Sequence, residues 1–371
     1  MSLHMKPRRA TSLLLCSIVT IAASSQNAAQ KPLPPVGQII GGHDMTTARA
    51  EHTATILPDF RVLIAGGTRD KGLVLASTEI YDPTRETFTA AARMTVPRHD
   101  HTAAVLSDGK ILIAGGLTRN LVALASSEDY DYETGRFTPR GNMHARRARA
   151  ASAVLRDGSP LVTGGTDGSQ LLDSAETYDV LNGKWTLVGK MSLAREGHTA
   201  TLLPDGRVLV VGGIGAKQNV LASAEIYDPR TKQFTAAGEM HQARAQHCAV
   251  MLTNGKVLVA GGAGSDYKAL ASAEVYDPAT HTFTSVGNLN EARKRMADGA
   301  SLLDGKAVIF GGAATAEIFD PHLGTFRTVN GTMDPVLHNS ASIQLMDGSV
   351  RIFGGYDKAG SATAKSWIYR P

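Results

Sequence analysis

The chain has 371 residues and a formal net charge of +4. Length alone would suggest two domains. Without Lys6, Arg8 and Arg9 the formal charge falls from +4 to +1, so the basic balance belongs to the N-terminus and does not indicate a nucleic-acid partner.

Residues 1–30 have the pattern of a secretory signal peptide. The three basic residues precede an apolar stretch from Leu13 to Ala23, and small residues follow it. The stretch is too short to span a bilayer comfortably. A lipoprotein cleavage site at Cys16 and a twin-arginine signal at Arg8 and Arg9 fit their flanking residues less well. We therefore expect an exported protein, periplasmic or extracellular.

Seven Gly-Gly pairs, spaced 43 to 50 residues apart, show that the rest of the chain repeats one unit. In the fourth copy, two apolar β-branched runs flank Asp205 and Gly206, which predicts a hairpin. The following run, from Ser223 to Asp228, alternates at period two, and Pro229 turns the chain into a fourth run near Phe234. Each copy therefore predicts four antiparallel strands, named a to d. The copies begin at Met45, Met94, Met143, Met191, Met240, Leu289 and Met333.

The turn between strands a and b is predicted to be type I′, in which both central residues need positive φ. Most copies have Asp-Gly or Asn-Gly there. Copy one has Asp59 and Phe60 instead, so we expect its turn to take another shape.

The seventh copy ends after Trp367 to Tyr369 and lacks a fourth strand. Residues 38–41 precede the first copy, at Met45, as Gln233 and Phe234 of strand d precede the copy that begins at Met240. We expect this N-terminal strand to complete the seventh blade and to leave no open sheet edge. The prediction is an all-β, seven-bladed propeller with four antiparallel strands per blade, formed as one domain by residues 31–371.

The repeated motifs Arg-x-x-His, Asp-Gly, Gly-Gly and Glu-x-Tyr-Asp-Pro resemble those of the bacterial secreted kelch-repeat family. The resemblance covers everything past the N-terminal segment. It implies the fold but not one function, because kelch propellers include adaptors, enzymes and structural proteins. The same fold carries the catalytic domain of galactose oxidase and the periplasmic sialic acid epimerases.

The topology places the tight a–b and c–d turns at one end of the propeller and the longer b–c and d–a connections at the other. Binding residues usually lie on such longer loops. Blade six is shorter by seven residues in its b–c loop, which is either a notch that admits a ligand or a simple deletion.

An arginine and a glutamate recur once per copy, except in blade seven, where Leu337 and Trp367 replace them. A ring of arginines could bind carboxylates, sulfates or phosphates. Because the two series fail together, an interblade ion pair explains them better. The series are Arg49, Arg98, Arg147, Arg195, Arg244 and Arg293, with Glu79, Glu128, Glu176, Glu225, Glu274 and Glu317.

Four copies carry a histidine three residues after the series arginine: His52, His101, His198 and His247. In galactose oxidase, which the chain resembles in fold, copper is bound by histidine, tyrosine and a cysteine-linked tyrosine. Here most tyrosines lie in strand c, and Cys248, the one cysteine past the leader, reads as a core residue without a disulfide. We expect interblade hydrogen bonds from these histidines, and neither a metal nor another cofactor.

The residue two positions after the series arginine differs in every blade, so the scaffold does not fix it. We interpret this ring as the place where a ligand is recognised, with a solvated loop edge as the alternative. The ring is Glu51, Asp100, Arg149, Gly197, Gln246, Arg295 and Asn339. The candidate ligand-binding residues are Arg147, Arg149, Arg293, Arg295, Gln246 and Asn339.

The sequence supports two functions. The first is a monomeric binding module that recognises a protein or a cell-surface glycan through the b–c and d–a loops, because no assembled catalytic motif is evident. The second is a carbohydrate-active enzyme on acidic sugars, similar to the epimerases, with Glu51 or Asp100 as acid/base. The epimerases' own motif residues cannot be matched here. A copper oxidase is a weaker third hypothesis.

Overall fold

The computed structural model describes residues 37–296 and 299–371. Seven four-stranded antiparallel sheets form the blades, which confirms the predicted fold class. The signal-peptide prediction for residues 1–30 lies outside the described part. Within that part, the helices are short 3₁₀ turns at Asp70–Gly72 and Ala216–Gln218, and none is long and apolar enough to cross a membrane.

Each blade uses its strands in the order a, b, c, d, and a short extra hairpin, Thr68–Arg69 with Leu73–Val74, lies in the b–c loop of blade one. From blade one to blade seven the strands are Thr53–Ile56, Val62–Ala65, Thr78–Asp82, Thr87–Ala91; Thr102–Val105, Ile111–Ala114, Ser127–Asp131, Arg136–Arg140; Ala151–Val154, Pro160–Thr163, Ser174–Asp179, Lys184–Lys190; Thr199–Leu202, Val208–Val211, Ser223–Asp228, Gln233–Glu239; Cys248–Met251, Val257–Ala260, Ala273–Asp277, Thr282–Ser285; Ala300–Ser301, Ala307–Ile309, Glu317–Asp320, Thr325–Thr328; and Ala341–Gln344, Val350–Phe353, Ser366–Arg370, Gln38–Gly41.

The core consists of apolar layers between neighbouring blades. Strand b is buried along its length in every blade, as at Val62–Ala65, because both faces of a blade pack on other blades. One such layer joins Leu63 and Ile80 of blade one to Ile113 and Tyr130 of blade two. Strand a is innermost and lines the axial channel with small residues such as Ala54 and Thr55.

The Gly-Gly pair at the end of strand b is where the next blade docks. Gly67 N donates to Arg98 O at 2.9 Å. A Cβ on Gly66 would lie 2.5 Å from Arg98 O and 2.9 Å from His101 Cε1. Only glycine leaves room for this approach, which explains why the pair recurs.

The series arginine is buried and ion-paired in all six blades that have it. The guanidinium-to-carboxylate distances are 2.5 to 3.0 Å. The predicted pairing is confirmed, with one correction: each pair joins residues of the same blade, as Arg49 and Glu79 do, rather than neighbouring blades. In blade seven, Leu337 and Trp367 pack in the apolar core instead.

The a–b turns differ from the predicted type I′. In blade two only Gly109 of the Asp-Gly pair has positive φ, +81°, and Gly109 N donates to Leu106 O at 2.9 Å. This is a type I turn followed by a glycine bulge, because the carboxylate of Asp108 accepts the Lys110 N–H and favours negative φ at the aspartate.

The expectation of a differently shaped turn in blade one is also wrong. Phe60 N donates to Leu57 O at 2.9 Å, and Leu57 N donates to Arg61 O at 2.7 Å. Phe60 therefore takes the place of the bulge glycine, at φ +67°.

The N-terminal strand closes the ring as predicted. Gln38–Gly41 pairs antiparallel with Ser366–Arg370, and Ile39 lies opposite Tyr369. Ile39 is 3% exposed, and its N–H donates to Asn330 O at 2.7 Å. The strand therefore joins blade seven by its ladder and contacts the connection that follows blade six.

Deletion of residues 38–41 should lower the melting temperature clearly and promote self-association. The loss combines ladder hydrogen bonds, about 1 kcal/mol each net, with about 2 kcal/mol for the burial of Ile39. Thermal unfolding followed by light scattering measures both effects. Removal of residues 1–30 alone is the control and should change neither. A deletion variant that melts with the parent would contradict this account of closure.

Candidate functional site at the mouth of the axial channel

The end of the propeller that carries the b–c and d–a loops has a cavity of about 480 Å³ on the axis. All seven ring residues line it, with Tyr356 and, in six blades, the residue that follows the ring residue in the chain. Each ring residue has a left-handed backbone, with φ between +52° and +60°. The structure places the ring residues together at the loop end of the propeller, because the left-handed turn directs the side chain into the cavity while the arginine two residues earlier is buried in the blade.

The ring is held by its own backbone. Asp100 N donates to Glu51 O, Arg149 N to Asp100 O, Gly197 N to Arg149 O and Gln246 N to Gly197 O, at 2.8 to 3.2 Å. Asn339 N donates to Arg295 O and Glu51 N to Asn339 O, both at 3.0 Å, which joins blade seven to blades six and one. Because main-chain atoms make these links, the side chains are left to differ. This explains how a structurally essential position can vary in every blade.

Blades one to three contribute a charged cluster to the wall. His99 Nδ1 lies 3.0 Å from Glu51 Oε2 and 3.4 Å from Asp100 Oδ2. Burial disfavours the imidazolium, but the two carboxylates outweigh it and raise the pKa of His99 to about 9. Arg149 Nε donates to Asp100 Oδ2 at 3.1 Å. Although burial opposes the shift, His99 and Arg149 lower the pKa of Asp100, so Asp100 is held as a carboxylate and is a poor proton donor.

Three of these groups, Glu51, His99 and Asp100, offer ligand atoms within 4.8 Å of one another, the geometry of a possible metal site. The imidazolium of His99 and the guanidinium of Arg149 already balance the two carboxylates. We therefore interpret the cluster as an ion-pair network, and the expectation of no metal stays a prediction.

The ring residues of blades five to seven are polar and make fewer ion pairs than those of blades one to three. Asn339 Nδ2 donates to Glu51 Oε1 at 3.1 Å, and Gln246 lines the cavity beside Gly197. The Arg295 side chain is exposed in the cavity and has no ion pair among the described residues. Of the two ring arginines, Arg295 is thus the one whose guanidinium is open to a ligand.

Two other candidate ligand-binding residues are not accessible. Arg147 and Arg293 are at most 1% exposed, and their guanidinium groups are bound to Glu176 and Glu317. The same groups also donate to backbone carbonyls of strand ends. We therefore remove both from the candidate site.

Three of the four histidines that directly precede strand a bridge neighbouring blades, as expected. His101 Nε2 lies 3.0 Å from Thr53 Oγ1, and His247 Nε2 lies 3.1 Å from Thr199 Oγ1. His198 Nε2 lies 2.9 Å from Thr163 Oγ1. Burial lowers the pKa of His101 and of His247 to about 3, so these rings are neutral. His52 has no such partner.

The comparisons agree with this architecture. Residues 146–192, 198–241 and 244–290 match the model of the Kelch motif. The protein is a seven-bladed propeller in which these three segments match the Kelch motif. It is similar to a solved structure of a fungal alcohol oxidase of the AA5 family in complex with copper, with a TM-score of 0.72 and 18% identity over 90% of this chain and 76% of that chain. At that identity the likeness concerns the galactose-oxidase-like fold alone. No curated protein matches the sequence.

The residues of this propeller do not fit a copper site of histidine, tyrosine and cysteine-linked tyrosine. Cys248 is buried in a cluster of aliphatic residues and phenylalanines, where its Sγ accepts the Gly299 N–H at 3.0 Å. Tyr356 contacts Thr68 and Glu51, and Tyr267 donates to Gln218 O at 2.5 Å. Among residues 37–296 and 299–371, the side chains therefore give the copper-oxidase hypothesis no support.

Sequence reasoning missed His99 and Tyr356. The position of His99, directly after the series arginine, is alanine in blades one, three and five. A histidine there departs from the repeat as clearly as the ring residues do, so the signal was present. Tyr356 follows the Gly-Gly pair of blade seven, and its contact with Glu51 spans 305 residues and depends on ring closure.

The ion pairs of His99 predict a pH dependence of stability. Because the folded pKa, about 9, lies above the ordinary 6.5, the stabilisation is complete below pH 6.5 and is lost as pH rises through 9. The free energy of unfolding of the wild type should therefore fall over this window relative to His99→Gln, as measured by denaturant titration. His43→Gln, at an exposed histidine, is the control. Parallel profiles for wild type and His99→Gln would contradict the cluster's role.

Proposed function

We propose that the protein is an exported binding module whose mouth cavity takes an acidic sugar of a glycan, with Arg295 binding the carboxylate. The single observation that carries the proposal is an exposed ring guanidinium without an ion pair among the described residues. A planar guanidinium binds a carboxylate through two parallel hydrogen bonds, which gives both affinity and orientation. The basic and apolar pattern of residues 1–30 supports export.

The shape of the site favours a sugar over a flat protein surface. A cavity of about 480 Å³ lies within the range of about 300–1,000 Å³ typical of small-molecule sites. Its wall offers the amides of Gln246 and Asn339 and the carboxylate of Glu51, which suit hydroxyl groups. Gly197 has no side chain to fill the opposite wall.

The neighbouring charges distinguish the two ring arginines, Arg149 and Arg295. Arg149 is bound to Asp100 at 3.1 Å and lies 3.8 Å from Glu196. A ligand carboxylate would have to displace these acidic partners. Arg149 therefore positions the charged wall, and Arg295 is the anchor.

Arg295→Ala should fold normally and bind galacturonate at least about tenfold more weakly, because a charge-assisted hydrogen bond contributes about 1.5–3 kcal/mol. Isothermal titration calorimetry measures the affinity, and an array of acidic and neutral glycans tests selectivity. Arg119→Ala is the matched control, since Arg119 is exposed on a b–c loop at the same end and does not line the cavity.

Equal binding by Arg295→Ala and the wild type, or capture of neutral glycans alone, would contradict the proposal. Binding of the wild type only to a protein partner would replace the glycan by the alternative class.

An enzyme on acidic sugars is the second candidate, and the Glu51, His99 and Asp100 cluster is the observation in its favour. Such an enzyme would use a carboxylate of this cluster as base. Adding protein to sialic acid and following anomer interconversion by NMR separates the two functions. Acceleration that Glu51→Gln abolishes would favour the enzyme, and binding without acceleration would favour the module.

A further inference from the structure

The wall between the mouth cavity and the axial channel is lined by buried histidines whose Nδ1 atoms have no hydrogen-bond partner among the described residues, and at the junction of blades seven and one the Nε2 atom is unpaired as well. His52 is 7% exposed, and neither of its ring nitrogens has a hydrogen-bond partner among the described residues. The buried Oγ of Ser340 likewise has none. Both residues line the mouth cavity and the channel below it. Buried polar groups ordinarily have partners, so this pair needs an explanation.

The reason lies in the sequence of the neighbouring blade. Where His101 and His247 find a threonine hydroxyl, it belongs to the first residue of strand a in the preceding blade, Thr53 or Thr199. For His52 the preceding blade is blade seven, and the residue at that register is Ala341. The ring of His52 still packs on Gly354, where a Cβ would lie 3.0 Å from its Cε1. The imidazole is therefore positioned like the others but lacks the hydroxyl.

The chemistry of the pair selects its ligand group. Burial and the nearby Arg49 guanidinium lower the pKa of His52 well below its usual value, so the ring is neutral, with one N–H donor and one acceptor nitrogen. The Ser340 hydroxyl also donates and accepts. An alcohol hydroxyl complements both residues, whereas a carboxylate would find one donor on each and no positive charge.

The position of the pair connects it to the mouth. Arg295, Asn339 and Glu51 occupy successive ring positions in blades six, seven and one, and Ser340 and His52 follow Asn339 and Glu51 directly in the chain. We propose that His52 and Ser340 form a hydroxyl-binding subsite at the entrance of the axial channel, which takes a hydroxyl of the sugar whose carboxylate Arg295 holds. This subsite rests on the proposed function. The channel below, of about 620 Å³ and lined by small strand-a residues, leaves room for the group that carries the hydroxyl.

The most direct test is a variant that gives His52 the hydroxyl partner it lacks. Ala341→Thr places at blade seven the hydroxyl that Thr53 and Thr199 provide elsewhere, so it should bind His52 and block the subsite without loss of stability. Ala151→Thr is the matched control, because Ala151 has the same register in blade three and faces His198, which already has Thr163. Ser340→Ala is a second route to the same loss.

The test uses calorimetry with two probes on the full-length mature protein: galacturonate, and tetrahydropyran-2-carboxylate, which keeps the ring and the carboxylate but has no hydroxyls. Ala341→Thr and Ser340→Ala should each weaken galacturonate binding about tenfold and leave the second probe unchanged, with a melting temperature no lower than that of the wild type for Ala341→Thr. Ala151→Thr should bind both probes like the wild type.

The outcomes distinguish the two proposals. Wild-type affinity of Ala341→Thr and Ser340→Ala for galacturonate would overturn the subsite while leaving Arg295 as the anchor. Equal weakening of both probes would also overturn it, because the effect would then not depend on hydroxyls. Failure of the wild type to bind either probe would overturn the proposed function and the subsite together.

Discussion

A guanidinium group without access to solvent organises each of six blades. In blade one, Arg49 Nη1 donates to Gly66 O at 2.7 Å and to Ser77 O at 3.1 Å, and Nη2 donates to Glu79 at 2.7 Å. The same glutamate accepts the backbone N–H groups of Thr46 and Thr47. One ion pair thus joins the segment before strand a to the ends of strands b and c, at a site where burial of either charge alone would be strongly unfavourable.

This constraint also sets the geometry between blades. Once the arginine side chain is fixed, its carbonyl accepts the N–H of the second glycine of the preceding blade, as Arg98 O does from Gly67. Two residues later the chain turns left-handed and enters the hydrogen-bonded ring at the mouth. The scaffold therefore depends on the arginine side chain and on the ring backbone, and it leaves the ring side chains free to differ. The binding function that we propose depends on departures from the repeat: Arg295, Gly197, and the Ala341 that leaves His52 without the threonine hydroxyl found in other blades.

The blades, the ring closure and the buried ion pairs could be predicted from the sequence. Each of them leaves a motif that recurs in every copy, or two motifs that are lost together in the same copy. Leu337 and Trp367 revealed the arginine–glutamate pair by replacing both members together. The cluster around His99 was missed because its geometry follows from left-handed turns that extended-strand periodicity does not contain. The turn at Phe60 was also mispredicted, since the surrounding hairpin holds a residue that is unfavourable at positive φ. The unpaired nitrogens of His52 could not be predicted from the sequence without knowing that each of these histidines faces the preceding blade. For blade one the preceding blade is blade seven, whose residues lie at the other end of the chain.

The central claim is that the ion pair, and not the arginine or the glutamate by itself, holds each blade. A double-mutant cycle at Arg195 and Glu225, whose charged atoms are 2.8 Å apart, measures this through the free energy of unfolding in denaturant. Arg195→Leu and Glu225→Gln should each cost about 3–5 kcal/mol, because each leaves a buried polar partner unmatched. The double variant should cost less than the two together by about 1–3 kcal/mol. Additive costs would show that the two side chains act independently and would contradict the account.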